Sequence, residues 1–181
     1  MKIIGLSGKK QSGKTTAADF LSHMTKWPVL SIATPLKNIV KQCFGATEEQ
    51  VRGTNEQKNT KLPCGKTARE LLQIVGTDWF RELDAHCWLR CLEHQITLYG
   101  AEGIIIDDVK FANEVQWIQQ HGHVIKLLRA PFSDKDKHAS ETELDDAPDS
   151  FFDAYLDNRA ITIDYANIAI WELVCERKWI C

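Results

Sequence analysis

Gly8-Lys9-Lys10-Gln11-Ser12-Gly13-Lys14-Thr15 satisfies the phosphate-binding loop pattern G-x-x-x-x-G-K-[ST] at each defined position. It follows Lys2-Ile3-Ile4-Gly5-Leu6, an apolar run of strand type, and precedes residues 16–24, whose apolar side chains recur at helical spacing. Strand, loop and helix in that order is the context the pattern requires. Gly8 and Gly13 allow backbone angles closed to other residues, so N–H groups along the loop, Gln11 and Ser12 included, can converge on one phosphate. The positive end of the following helix adds to them. Lys14 is then placed to reach the β- and γ-phosphates of ATP, the Thr15 hydroxyl to ligate Mg²⁺, and Thr16 to stand near the α-phosphate.

A chain of 181 residues suits one domain, 1–181, with room for an insertion and enough length to bury a core. Its net charge of -3 leaves no broad basic footprint, so no nucleic-acid polymer is expected as a partner. No apolar run approaches the length of a membrane span, and a cytoplasmic protein without a membrane partner is expected. The six cysteines are scattered and form no C-x-x-C pair, which reads as free thiols, mostly buried. Cys87 and Cys91 share a helix face near His94, a grouping open to metal ligation, but core packing is the expected role. A homodimer stays open.

After the first helix, residues 28–32 read as a second strand. Thr34 is placed as N-cap and Pro35 as first residue of a helix from Leu36 to Phe44, stopped by Gly45. Lys37 lies in its first turn, unfavourable beside the helix dipole unless an anion is there, and is a candidate for substrate phosphate. Residues 47–66 are polar and read as a surface excursion. Thr67-Ala68-Arg69-Glu70 is a capping-box pattern that opens the next helix and puts Arg69 at its start. Gly76-Thr77-Asp78 is expected to break that helix, and Asp84 to cap a longer one carrying Trp88.

Gly103-Ile104-Ile105-Ile106-Asp107-Asp108-Val109 reads as a central parallel strand buried on both faces and closing in two carboxylates. Ligands of parallel sheets bind outside the carboxyl ends of the strands, so one of Asp107 and Asp108 should approach Mg²⁺. A helix over about 111–120 and a strand at 123–128 follow, the strand delivering Arg129 to its carboxyl end. Residues 129–150 are polar and read as a flexible, lid-like loop. The fifth strand is placed at Ala160–Asp164, with Tyr155–Asp157 competing, and a last helix at Ile168–Arg177. The alternation predicts an α/β fold of three layers with a mostly parallel sheet of about five strands, and a helical insertion at 46–100 suited to building an acceptor pocket.

At these segments the chain resembles the deoxynucleoside monophosphate kinases of T4-like and other tailed bacteriophages. Thr67-Ala68-Arg69-Glu70-Leu71-Leu72-Gln73 with Gly76-Thr77-Asp78 and Arg81 is similar to that family's T-x-R-x-x-L-Q-x-x-G-T-[DE]-x-x-R segment. Asp108-Val109-Lys110-Phe111-Ala112-Asn113-Glu114 is similar to its D-V-R-F-x-N-E, with Lys110 where Arg is usual, and His138-Ala139-Ser140-Glu141 to its H-x-S-E. The resemblance implies a P-loop kinase fold and ATP-dependent phosphorylation of a deoxynucleoside monophosphate to the diphosphate. It implies ATP and Mg²⁺ held by Lys14, Thr15 and Asp108, with acceptor phosphate held by Arg69, Arg81 and Lys37. Arg129 or Lys110 would neutralise the moving group, and Gln73, Trp79, Trp88 and Phe44 are candidates for the base pocket. Two other readings stand beside it. One is a P-loop kinase of a different small acceptor of shikimate, gluconate or dephospho-coenzyme A type. The other is a nucleotide-regulated switch, weakened because the chain contains neither D-x-x-G nor N-K-x-D.

Overall fold

The computed structural model describes residues 1–129 and 138–180, and the chain divides into two compact units, 1–31 with 93–181 and 32–92. The first unit carries a five-stranded sheet, β1 (Lys2–Gly8), β2 (Val29–Leu30), β3 (Gly103–Val109), β4 (Gly122–Leu127) and β5 (Ala154–Leu156), in the order β2-β3-β1-β4-β5. Every neighbouring pair is parallel. The phosphate-loop strand is therefore central, and the strand order reverses beside it, the place where open parallel sheets bind ligands.

Side chains alternate across β1 as a pleated strand requires. Ile4 and Leu6 join the cluster of α1 (Lys14–Thr25) and α10 (Ile163–Glu176), through Ala17, Ala18, Leu21, Ile170 and Val174. On the opposite face a Cβ at Gly5 would stand 2.9 Å from Ile118 Cδ1 of α8 (Ala112–Gln119), so glycine lets this helix approach the sheet. Helix, sheet and helix make the three layers expected.

The second unit is helical: α2 (Thr34–Phe44), α3 (Glu48–Arg52), α4 (Asn55–Lys58), α5 (Ala68–Gln73), a π-helical turn (Ile74–Trp79) and α6 (Phe80–Leu83). α7 (Cys87–Tyr99) begins in it and carries the chain into the first unit's residues. The polar stretch 47–66 holds two short helices, each opened by a complete capping box, Thr47 with Gln50 and Thr54 with Gln57. Periodicity cannot reveal helices this short; the T-x-x-Q spacing, occurring twice, is the legible signal.

Several expectations need correction. The fifth strand is Ala154–Leu156, at the competing segment 155–157 and not at Ala160–Asp164, because the Thr162 hydroxyl accepts from Tyr165 N and starts α10 at Ile163. Gly76-Thr77-Asp78 does not break its helix, which passes through the π turn instead. Ala33, not Thr34, is the N-cap of α2, without a side-chain bond. The thiols are not mostly buried: Cys43 and Cys64 are exposed, and Cys87, Cys91 and Cys175 are half-buried. The expected loop at 129–150 lies partly on residues 130–137, outside the described residues; beyond them it forms α9 (Ala139–Thr142) and a 3₁₀ turn at Asp149–Phe151. No helix among the described residues is long and apolar enough to cross a membrane.

Candidate active site

The loop's conformation follows from its glycines. Gly8 has φ +143°, and a Cβ there would lie 2.6 Å from the Leu127 carbonyl oxygen and 2.8 Å from Ser12 Oγ. Gly13, at φ +96°, is the N-cap of α1, and the first turn of that helix has neither a side-chain cap nor an acidic residue. An uncapped helix start concentrates N–H donors and positive dipole potential, a ready site for phosphate. The Ser12 hydroxyl is buried and has no hydrogen-bond partner among the described residues, a polar group left for a ligand or water.

Lys14 Nζ donates to the carbonyls of Gly8 at 2.7 Å and Lys9 at 2.9 Å, and stands 3.6 Å from Asp108 Oδ1. Lys110 Nζ lies 3.5 Å from the other oxygen of the same carboxylate. The three form a row of alternating charge at the carboxyl ends of β1 and β3. A bulge helps to aim it: between the pairs Gly5–Ile106 and Ser7–Val109 the register shifts, β3 carrying one residue more than β1, at Asp107 and Asp108. Lys110 is fixed from behind by Glu114, a carboxylate only 2% exposed that accepts from Lys110 N at 2.8 Å and Phe111 N at 3.1 Å. Ala112 N donates to Glu143 Oε1 at 2.9 Å, so a carboxylate of the segment after β4 caps the start of α8.

Two recesses flank the row. A groove of about 540 Å³ is lined by Gln11 and Gly13–Thr16 of the loop and helix start, by the polar Arg129, Asn158, Thr162 and Asn167, and by the apolar Leu127, Leu156, Ile161 and Ile163. A groove that combines phosphate-binding backbone and hydroxyl groups with apolar surface suits a nucleoside triphosphate. Asn158, 5% exposed, donates from Nδ2 to the Ser12 carbonyl at 2.8 Å and accepts from Arg129 N at 2.9 Å, bracing loop and strand ends together. Beside it the Arg159 guanidinium grips Asp157 and holds that carboxyl down at about 2. The second recess, about 290 Å³, gathers Lys9, Lys110 and Lys126 with Ser140 and Asp145. Lys9 pairs with Asp145, and Lys126 donates to the Leu144 carbonyl at 2.9 Å over the Phe152 ring.

Lys14, Thr15, Thr16, Gln11, Gly13 and Arg129 thus line one groove, and Asp108 and Lys110 stand beside Lys14. The donor set fits a nucleotide with Mg²⁺: a hydroxyl at Thr15 and a carboxylate at Asp108 are hard oxygen ligands, and Mg²⁺ takes few protein ligands when phosphates supply the rest. Among the described residues no three His, Cys, Asp and Glu side chains gather into a metal cluster, Cys87, Cys91 and His94 included. Asn158 and Lys126 escaped the sequence reading, and Lys9 and Glu114 entered it only as positions of quoted motifs, without a role. With β5 set six residues late, the placement of Asn158 just past a strand end was hidden.

In the second unit, Arg69 donates from Nε to Asn59 Oδ1 and from Nη2 to Asn55 Oδ1, both at 3.0 Å, so the capped helix α4 orients its fork. Arg81 Nη1 donates to the Ala85 carbonyl at 3.2 Å. Lys37 is half-buried in the first turn of α2, which has no acidic residue, and Gln73 is half-buried at the end of α5. Trp79 is 56% exposed, whereas Trp88 is 4% exposed with its indole N–H donated to the Gly76 carbonyl at 2.8 Å. The expectation that Trp88 offers a face to a base is corrected: its ring is core and its polar atom supports the π turn.

Comparison with known proteins agrees with this fold. The solved structures similar to this chain include TT1252 from Thermus thermophilus, with TM-score 0.55, 16% identity and 97% of each chain covered. Shikimate kinase from Bacteroides thetaiotaomicron gives TM-score 0.53 at 16% identity, covering 96% of this chain and 98% of that one. Shikimate kinase from Acinetobacter baumannii gives 0.52 at 13%, covering 98% and 95%. At such identities they show the fold, that of P-loop kinases. A putative deoxynucleotide monophosphate kinase of Acanthamoeba polyphaga mimivirus is 38% identical over 159 residues, 80% of this chain and 82% of that protein. That relative is viral but not of the tailed-phage branch expected from the motifs. The family described as deoxynucleotide monophosphate kinase matches residues 2–63 and 54–159, which take in phosphate loop, β3 end and arginine-bearing helix, and the chain belongs to that family.

Proposed function

We propose that this P-loop kinase transfers the γ-phosphoryl group of ATP to a deoxynucleoside monophosphate, giving the diphosphate, in the cytoplasm where both substrates are found. What supports the acceptor is the span of the family match, which includes the helix carrying Arg69 and Arg81 and not only the phosphate loop common to many kinases. Kinship with the tailed-phage members rests on the T-x-R, D-V-x-F and H-x-S-E segments.

Two polyanions must meet, and the moving phosphoryl group needs its charge spread over cations. The loop amides and the start of α1 hold the β- and γ-phosphates, and Lys14, released from the Gly8 and Lys9 carbonyls, turns its ammonium to them. Thr15 and Asp108 would hold Mg²⁺, which supplies neutralisation of the phosphate oxygens; Asp107 is the alternative carboxylate. Lys110, fixed by Glu114, acts on the transferring group, and Arg129 on the nucleotide in the groove. Arg69, Arg81 and Lys37 hold the acceptor, with Gln73 and Trp79 beside them, the residues 46–100 supplying most of that side.

Arg69→Lys is the test of this division. The planar fork binds phosphate through two parallel charge-assisted hydrogen bonds that an ammonium cannot copy. The acceptor KM should rise at least tenfold while the ATP KM stays within about twofold, a loss of about 1.4 kcal/mol or more. A selective rise in the ATP KM would assign Arg69 to the wrong substrate.

A further inference from the structure

Helix α5, the π turn and α6 form one continuous helical run from Ala68 to Leu83. Its ladder changes pitch once. Phe80 N donates to the Val75 carbonyl, five residues back, where an α-helix would bond to the Gly76 carbonyl four back. The carbonyl so released is the one that accepts from Trp88 Nε1 at 2.8 Å. A buried indole therefore satisfies the group that the wider turn leaves over, and a Cβ at Gly76 would meet Leu36 Cδ2 at 2.4 Å.

A π turn accommodates one residue more than an α turn, which changes the face presented by everything after it. Arg81 follows Arg69 by twelve residues and Gln73 follows it by four. In an uninterrupted α-helix, at about 100° per residue, Gln73 would lie about 40° around from Arg69 and Arg81 about 120°, on another face. With one residue absorbed in the wider turn, Arg81 comes to within about 20° of Arg69. All three polar side chains then fall in one narrow stripe, with about 17 Å of helix between the two arginines.

We propose that the π-helical turn at Ile74–Trp79 is a phase-setting element that turns Arg81 onto the face carrying Arg69 and Gln73, so that one nucleoside monophosphate lying along the stripe meets both arginines. The inference rests on the acceptor assignment above and deepens it. Such a ligand presents a dianionic phosphate and a polar base edge at its two ends. The arginines bracket those ends and Gln73 hydrogen-bonds between them. Asn55 and Asn59 already orient the Arg69 fork.

Two variants test it by steady-state kinetics with deoxynucleoside monophosphates. Deleting Thr77 should convert the π turn to an α turn without changing the phase of Arg81, so the acceptor KM stays within about threefold of wild type, and Arg81→Ala still raises it at least tenfold in the deleted background. Moving the charge by one residue, as Arg81→Ala with Glu82→Arg, swings it about 100° away. That variant should be as impaired in acceptor KM as Arg81→Ala alone, with the ATP KM unchanged in both. The relocated arginine decides the matter even if the deletion fails to fold. Rescue by Glu82→Arg, an unchanged acceptor KM in Arg81→Ala, or a loss in the deletion equal to that of Arg81→Ala would overturn the proposal. Absence of phosphorylation of any nucleoside monophosphate by the wild type would instead overturn the acceptor assignment.

Discussion

Asp107 and Asp108 are neighbours in sequence with different surroundings, and the difference is made by the backbone. Asp108 pairs with both Lys14 and Lys110, at 3.6 and 3.5 Å, and the register shift between β1 and β3 falls at this pair of residues. Asp108→Asn keeps the shape, removes the charge that would face Mg²⁺, and should lower kcat by about two orders of magnitude, close to 3 kcal/mol. Asp107→Asn should cost much less. Measured kcat over a Mg²⁺ titration would contradict the assignment if the two losses were equal or reversed. That two carboxylates close this strand was legible in the sequence; which of them faces the lysine was indicated only by the family resemblance, because a bulge leaves no pattern in residue type.

At the scale of elements, the capping box at Thr67 was the most readable feature. Thr67 accepts from Glu70 N and Glu70 accepts from Thr67 N, as T-x-x-E predicts, and the glutamate's carboxyl is held below its ordinary range by the Thr67 N–H first and the Thr67 hydroxyl second. The π turn was not readable. Gly76 looked like a helix break because propensity counts its entropy cost, while the Trp88 indole that sustains the turn is a tertiary contact. Asn158 shows the same limit in the other unit, joining the loop after β1 to the ends of β4 and β5 through one buried amide. Its Nδ2 donor holds the Ser12 carbonyl next to Gly13, whose positive φ starts the phosphate-binding helix, so the amide should matter to nucleotide binding beyond its part in stability. Asn158→Asp keeps the acceptor and loses the donor. The ATP KM is expected to rise at least tenfold with the acceptor KM little changed, and Asn158→Gln is expected to restore less than half of the loss because its longer arm misplaces both atoms. Equal rises in both KM values would reduce Asn158 to a structural residue.

Across the molecule, the layered parallel sheet could be read from one phosphate loop, one unalternating strand and the alternation of strands with helices. The sheet order that puts β1 between β3 and β4 is what brings Lys14, Asp108 and Lys110 into a row, and long-range pairing of this kind is not written in local pattern. The fifth strand was misplaced for a related reason: Ala154–Leu156 is three residues long, shorter than the apolar run at 160–164 that competes with it, and a threonine cap decides between them. The central claim is that this chain moves a phosphoryl group from ATP to a deoxynucleoside monophosphate by way of Lys14. Its most direct test is transfer of γ-phosphate label from ATP to each deoxynucleoside monophosphate, with shikimate and gluconate as competing acceptors, for wild type and Lys14→Ala at equal folded concentration. The account predicts labelled deoxynucleoside diphosphate from the wild type, none from the other acceptors, and a rate at least a thousandfold lower in Lys14→Ala, about 4 kcal/mol of transition-state stabilisation. Label in shikimate or gluconate with none in a nucleotide, or near-normal transfer by Lys14→Ala, would contradict it.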